Sequence, residues 1–185
     1  MLTPVMRRCA LLATHERPAG LWARMARWTA VTVAGVAVTG CLLARPAVEQ
    51  RSTQGPTAKQ MMESRITAQT GREPNFEEKR QWDVEMEQKI DAYLREHPDK
   101  ANSVDVSTFR FMRQVTVGMD KQQVLILLGP PLSVSGDQDQ MEKVARGYWP
   151  AIKGNATEVW VYPMGWNMFF AGPRLIDITQ YLPSS

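Results

Sequence analysis

Residues 118–131 read Gly-Met-Asp-Lys-Gln-Gln-Val-Leu-Ile-Leu-Leu-Gly-Pro-Pro. This stretch decides the fold, because it spells a short helix together with both of its ends. Asp120 is an N-cap, and Gln123, three residues on, completes a capping box. Val124, Leu127 and Leu128 point one way, as the apolar stripe of a helix does. Gly129 is free to take a left-handed C-terminal position, and Pro130-Pro131 prevent continuation. Gly118 and Gly129 both allow backbone shapes that other residues resist.

Downstream the pattern changes to strands. Glu158–Tyr162 (Glu-Val-Trp-Val-Tyr) is rich in β-branched and aromatic residues, and Asn167–Ala171 and Leu175–Tyr181 follow, with Gly172-Pro173 as a turn. Val144–Trp149 is a further candidate strand. The short connections imply an antiparallel meander. Trp160 and Tyr162 share one face of their strand, and Val159 and Val161 the other. Trp160 is read as core, since large aromatics in a strand usually bury. The stretch 134–156 gives few signals and is read as containing a loop. Its Asp137, Asp139 and Glu142 form a solvated acidic patch, with too few regularly spaced oxygens for calcium.

Upstream, Asn75 is an N-cap with Glu78 in capping-box spacing. Trp82, Met86, Ile90, Tyr93 and Leu94 follow as one apolar stripe, so a helix is expected near 76–96, ending before Pro98. His97 lies at its C-terminal end in a capping role. A second helical stretch is expected over 107–114, with Phe109, Met112 and Arg113. Residues 42–74 are rich in Ser, Thr, Gln, Pro and Gly and lack aromatics, the composition of a tether. Within it, Thr57–Thr70 is a candidate short helix carrying Met61, Met62 and Ile66.

The N-terminal 40 residues carry five arginines against Glu16, while the rest of the chain has a formal charge of −1. The basic balance of the whole sequence therefore belongs to its beginning. No concentrated basic face is left for phosphates, which argues against nucleic acid. Arg24 and Arg27 precede the uncharged stretch 28–40, which is too short to span a bilayer. A basic start, a short apolar run and small residues make a secretory signal. Its end, Val38-Thr39-Gly40-Cys41, resembles the lipobox of bacterial lipoproteins. That resemblance implies a diacylglyceryl group on the Cys41 thiol and a further acyl chain such as palmitate on its freed amine, and two or more chains anchor stably. Leu42, where inner-membrane lipoproteins often carry Asp, implies the outer membrane. A start at Met25 would give a compact signal of ordinary length, and Met25 is the expected start.

The stretch 118–131, followed by Trp160-Val161-Tyr162, resembles the SmpA/OmlA (BamE-like) family of outer-membrane lipoprotein domains. The motif residues are Gly118, Met119, Gly129, Pro131, Trp160 and Tyr162, with Phe169-Phe170 and Leu175-Ile176-Asp177-Ile178 as later strands. The resemblance covers about residues 108–181. It implies an α+β fold in two layers, N-terminal helices packed on a small antiparallel sheet of three to four strands. It also implies a non-catalytic role at the periplasmic side of the outer membrane, with partners in the β-barrel assembly machinery. The helix at 76–96, the long segment from Pro131 to Trp160 and the aromatic stretch 164–170 depart from the family pattern.

The expected organisation is a signal over 1–40, a tether over 41–74, a helix and connection over 75–106, and the family-like domain over 107–185. Two functions compete. One is an envelope scaffold that displays the domain near a membrane and raises its effective concentration for partners. The other is a stand-alone, lipid-anchored binding or inhibitor module with a different partner. Trp149, Trp166 and Phe170 are the candidate interface residues, with Trp166 left open between core and surface. An enzyme is not expected: no nucleophile elbow, HExxH or phosphate-binding loop is present. No cysteine lies beyond Cys41 and the only histidines are His15 and His97, so no metal or cofactor is expected apart from the covalent lipid.

Overall fold

A computed structural model describes residues 47–101 and 106–184. The stretch expected as signal and lipobox, with Cys41, lies outside the described residues, as does part of the connection after the long helix.

Two helices form where their caps are written. In α2 (Phe76–Glu96) the Asn75 side chain accepts from the Glu78 amide, and the Glu78 carboxylate accepts from the Asn75 amide. In α4 (Lys121–Leu128) Asp120 and Gln123 make the same reciprocal pair. Gly129 then adopts φ +71° and ψ −166°, a region essentially open only to glycine. His97 is the C-cap of α2: its amide donates to the Tyr93 carbonyl, and its ring stacks on Tyr93 at 4.3 Å. A four-residue turn of helix, α3 (Pro98–Ala101), follows.

The chain is α+β, with one antiparallel sheet of five strands in the order β1-β7-β6-β5-β4. These are β1 (Val48–Ser52), β4 (Ser133–Ser135), β5 (Glu158–Val161), β6 (Trp166–Ala171) and β7 (Arg174–Leu182). The meander β5-β6-β7 is the expected one. The sheet is wider than three or four strands because two short edge strands add to it. Their burial patterns are largely exposed, so they lack the alternating apolar signal of a half-buried strand. A second, two-stranded sheet pairs β2 (Gln54–Thr57) with β3 (Gln114–Thr116).

The tether expected over 41–74 is corrected from residue 47 onward. β1 pairs in full with β7, from Val48 opposite Leu182 to Ser52 opposite Ile178. Helix α1 (Ala58–Thr70) follows β2, with Thr57 and Gln60 as its capping box and Ala58, Met61 and Met62 buried. The folded domain therefore begins well before residue 75. Gly55 permits a close approach here: a Cβ would sit 3.3 Å from Met168 Cε and 3.4 Å from Val115 Cβ.

Three other expectations change. Residues 144–149 form no strand. They end α5 (Gln138–Ala145), pass through a 3₁₀ turn and begin α6 (Trp149–Ile152). The acidic segment 136–140 is a helix start, with the Asp137 side chain accepting from the Gln140 amide. Residues 108–112 form a single π-type turn that hands over to β3, instead of a helix reaching 114.

Helices α1, α2 and α4 cover one face of the sheet. Their Met61, Ile90, Tyr93, Val124 and Leu127 pack with Trp160, Tyr162, Met168, Phe170, Leu175 and Ile178. On the alternate positions, Val159 and Phe169 pack beneath Met141, Ala145, Trp149 and Ile152 of α5 and α6. Both faces of the central strands are thus apolar, and each has its own helical cover.

Candidate functional site: a bonded motif and an exposed aromatic surface

The motif residues are brought together, and their polar groups are spent on the fold. Met119 is buried, and the strand-like segment around it pairs with the start of β7. The Gly118 amide donates to the Leu175 carbonyl, and the Leu175 amide to the Met119 carbonyl, both at 2.8 Å. Gly118 reaches this register at φ +100°. Asp120 does two jobs: one oxygen caps α4, and the other accepts the Tyr93 hydroxyl at 2.5 Å. Burial, together with that carboxylate, raises the Tyr93 phenol well above its ordinary pKa.

At the other end of α4 the orphan carbonyls find partners. The Tyr162 hydroxyl donates to the Gly129 carbonyl at 3.0 Å, and Arg65 of α1 donates to the Pro130 carbonyl at 2.5 Å. Pro131 is half-buried at the start of the link to β4. Trp160 lies in the core, and its indole N–H donates to Glu158. Lys121 bonds the other Glu158 oxygen at 2.5 Å and lies within 6 Å of the Trp160 and Phe170 rings. Burial pushes the Glu158 carboxyl up. The hydrogen bonds from Lys121 and Trp160 and the ammonium charge outweigh it and hold the pKa below its ordinary value.

The candidate interface residues divide differently from the expectation. Trp149 is 6% exposed and Phe170 fully buried, so neither is surface. Trp149 fills the space between α6 and the sheet. Phe170 tilts against Trp160 at 4.6 Å. Trp166 is half-buried and packs on the main core.

The exposed aromatic surface lies on α2 and the π-type turn. Phe76 and Phe111 are each 76% exposed and Met112 is 57% exposed, around a half-buried Trp82. Two shallow clefts of about 380 Å³ each flank Trp82, sharing Lys59, Trp82 and Asp83 in their walls. The turn that presents Phe111 and Met112 is held from below. Phe109 is fully buried against Tyr93, and Arg113, at φ +48°, reverses the chain. Arg113 bonds Asp83 at 2.5 Å and Glu87 at 2.8 Å, while Arg110 lies 3.2 Å from Asp91. Asp83, Glu87 and Asp91 recur every fourth residue, so they form one acidic row along α2 that fastens the turn.

The expectation of a plain helix over 107–114, with Phe109, Met112 and Arg113, did not single this surface out. The wider π-type winding turns Phe109 in and leaves Met112 out. The spacing of Asp83, Glu87 and Asp91, with Arg110 and Arg113 nearby, was the available signal.

Among the described residues, no group of three or more His, Cys, Asp or Glu side chains is placed to hold a metal ion, and no helix is long and apolar enough to cross a membrane. The chain matches no protein-family model, no curated protein and no solved structure.

Proposed function

We propose that this protein is a non-catalytic envelope lipoprotein. In this reading a lipid on Cys41 holds it at the periplasmic face of the outer membrane, where it recruits a protein partner. The observation that carries the reading is the cluster of Phe76, Phe111 and Met112 around Trp82. Large apolar side chains exposed together on a helix start and a braced turn cost free energy in water unless a partner covers them. Aromatic anchors beside clefts are the usual chemistry of protein interfaces. The Val38-Thr39-Gly40-Cys41 sequence supports the anchor, and the likeness to the SmpA/OmlA family favours the β-barrel assembly machinery as partner.

The test is purification of a C-terminally tagged chain from membranes in mild detergent, beside Cys41→Ser and a Phe111→Ser/Met112→Ser double variant. Assembly components that accompany the wild type and fall away with both variants support the reading. A lipidated protein that never carries them sinks the assembly role and leaves a stand-alone binding module. An unmodified Cys41 sinks the anchor.

A further inference from the structure

We infer that one end of the five-stranded sheet, carrying Val48, Met164 and Leu182, lies against the membrane surface. The inference rests on lipidation of Cys41 and adds an orientation to it.

The first argument is reach. β1 is the first described strand, and its Val48 is paired with Leu182. Seven peptide steps separate Cys41 from Val48, which span at most about 25 Å even when fully extended. A tether running to residue 74 would leave the domain free to face any way. With Val48 fixed in the sheet, a reach of at most about 25 Å keeps this corner close to the bilayer.

The second argument is what that corner displays. Val48 and Leu182 face each other across β1 and β7, and both are exposed. Met164, in the loop joining β5 to β6, is exposed at the same end, because the Gln180 side chain donates to its carbonyl at 3.0 Å. One charge pair at this end is matched: Arg146 lies 3.5 Å from Glu49, with its guanidinium 3.7 Å from the centre of the Tyr181 ring, while Glu63 and Glu73 line a shallow cleft beside Met164. Three exposed apolar side chains beside a neutralised pair suit an interface between water and lipid. Strand β7 is nine residues long, so its other end, at the Gly172-Pro173 turn, stands about 25–30 Å away.

The test uses the full-length chain, exported and purified as the lipidated protein, with mass spectrometry of the Cys41 peptide. Cys9 leaves with the signal and the Cys41 thiol is blocked by lipid, so an introduced cysteine is the only free thiol. Leu182→Cys and Pro173→Cys, both at exposed positions, are labelled with an environment-sensitive dye. They are then reconstituted into phosphatidylcholine vesicles containing doxyl-labelled phosphatidylcholine. Val48→Cys replaces Leu182→Cys if the latter does not fold. The expected result is several-fold stronger quenching at 182 than at 173. Equal quenching, or stronger quenching at 173, with lipid present on Cys41, overturns the orientation and leaves the anchor standing. Absence of lipid on Cys41 overturns both.

Discussion

The hydroxyl of Tyr162 donates to the carbonyl oxygen of Gly129 at 3.0 Å, joining the strand half of the motif to its helix half across 33 residues. Gly129 is there to stop α4. The carbonyl it leaves without an intrahelical partner is met by a phenol just after β5 that burial raises well above its ordinary pKa and keeps protonated. Tyr162→Phe removes that donor and leaves the ring. The expected cost is about 1 kcal/mol, seen as a lower urea midpoint with an unchanged slope.

Gly165 closes the turn between β5 and β6 at φ +73°, and a Cβ built there would lie 1.8 Å from the Tyr181 carbonyl oxygen. That oxygen belongs to backbone, so it cannot swing aside. Gly165→Ala is expected to destabilise by about 3 kcal/mol or more, from overpacking plus the left-handed backbone. Gly154→Ala is the control, since a Cβ there meets nothing within 4 Å. Thermal melts of the two variants make the comparison.

Arg51 on β1 grips Asp177 on β7 through two nitrogens, at 2.6–3.0 Å. Asp177 is almost fully buried, and Arg51 is the side chain that neutralises it. The hydrogen bond to that carboxylate, against the opposing effect of burial, raises the Arg51 pKa. Arg51→Ala is expected to cost about 1–3 kcal/mol, because a buried acceptor loses a charged partner. Hydrogen exchange localises the effect: amides of Val48–Ser52 are protected in the wild type and open first in the variant.

Acid should loosen the Lys121–Glu158–Trp160 cluster. The Glu158 carboxyl is held below its ordinary value of 4.5 in the folded state. Its contribution is therefore fully present above 4.5 and is lost as pH falls through the lowered folded value. Glu78, which Arg72 and the Asn75 amide hold down to about 2, is lost in the same direction. The stability gap between wild type and Glu158→Gln should narrow between pH 7 and pH 3, as measured by urea midpoints. A constant gap would remove ionisation as the cause.

What the sequence made legible was what it states locally. The two capping boxes, the stripe on α2 and the alternation in Glu158–Tyr162 each need only neighbours in the chain to be understood. The faces followed too, since Trp160 with Tyr162 and Val159 opposite belong to different cores. What stayed hidden depends on partners far away. Glu49-Gln50-Arg51 is polar because β1 is an edge strand, and only pairing with residues 179–181 makes it structure. Val144–Trp149 has strand composition, yet Met141 and Ala145, four residues apart, bury the same helical face. Phe170 and Trp149 read as surface because both faces of the sheet are covered, a circumstance no local pattern announces. The exposed aromatic surface needed the π-type turn, which the expected helix over 107–114 did not anticipate.

Pairing the first described strand with the last has a consequence for the order of events during synthesis. Arg51 emerges 126 residues before Asp177. At roughly 5–20 residues per second that is a wait of about 6–25 s in which β1 has no native neighbour. An apolar strand left open that long would recruit other nascent chains. The polar residues that made 48–52 look like a linker keep it soluble until its partner arrives.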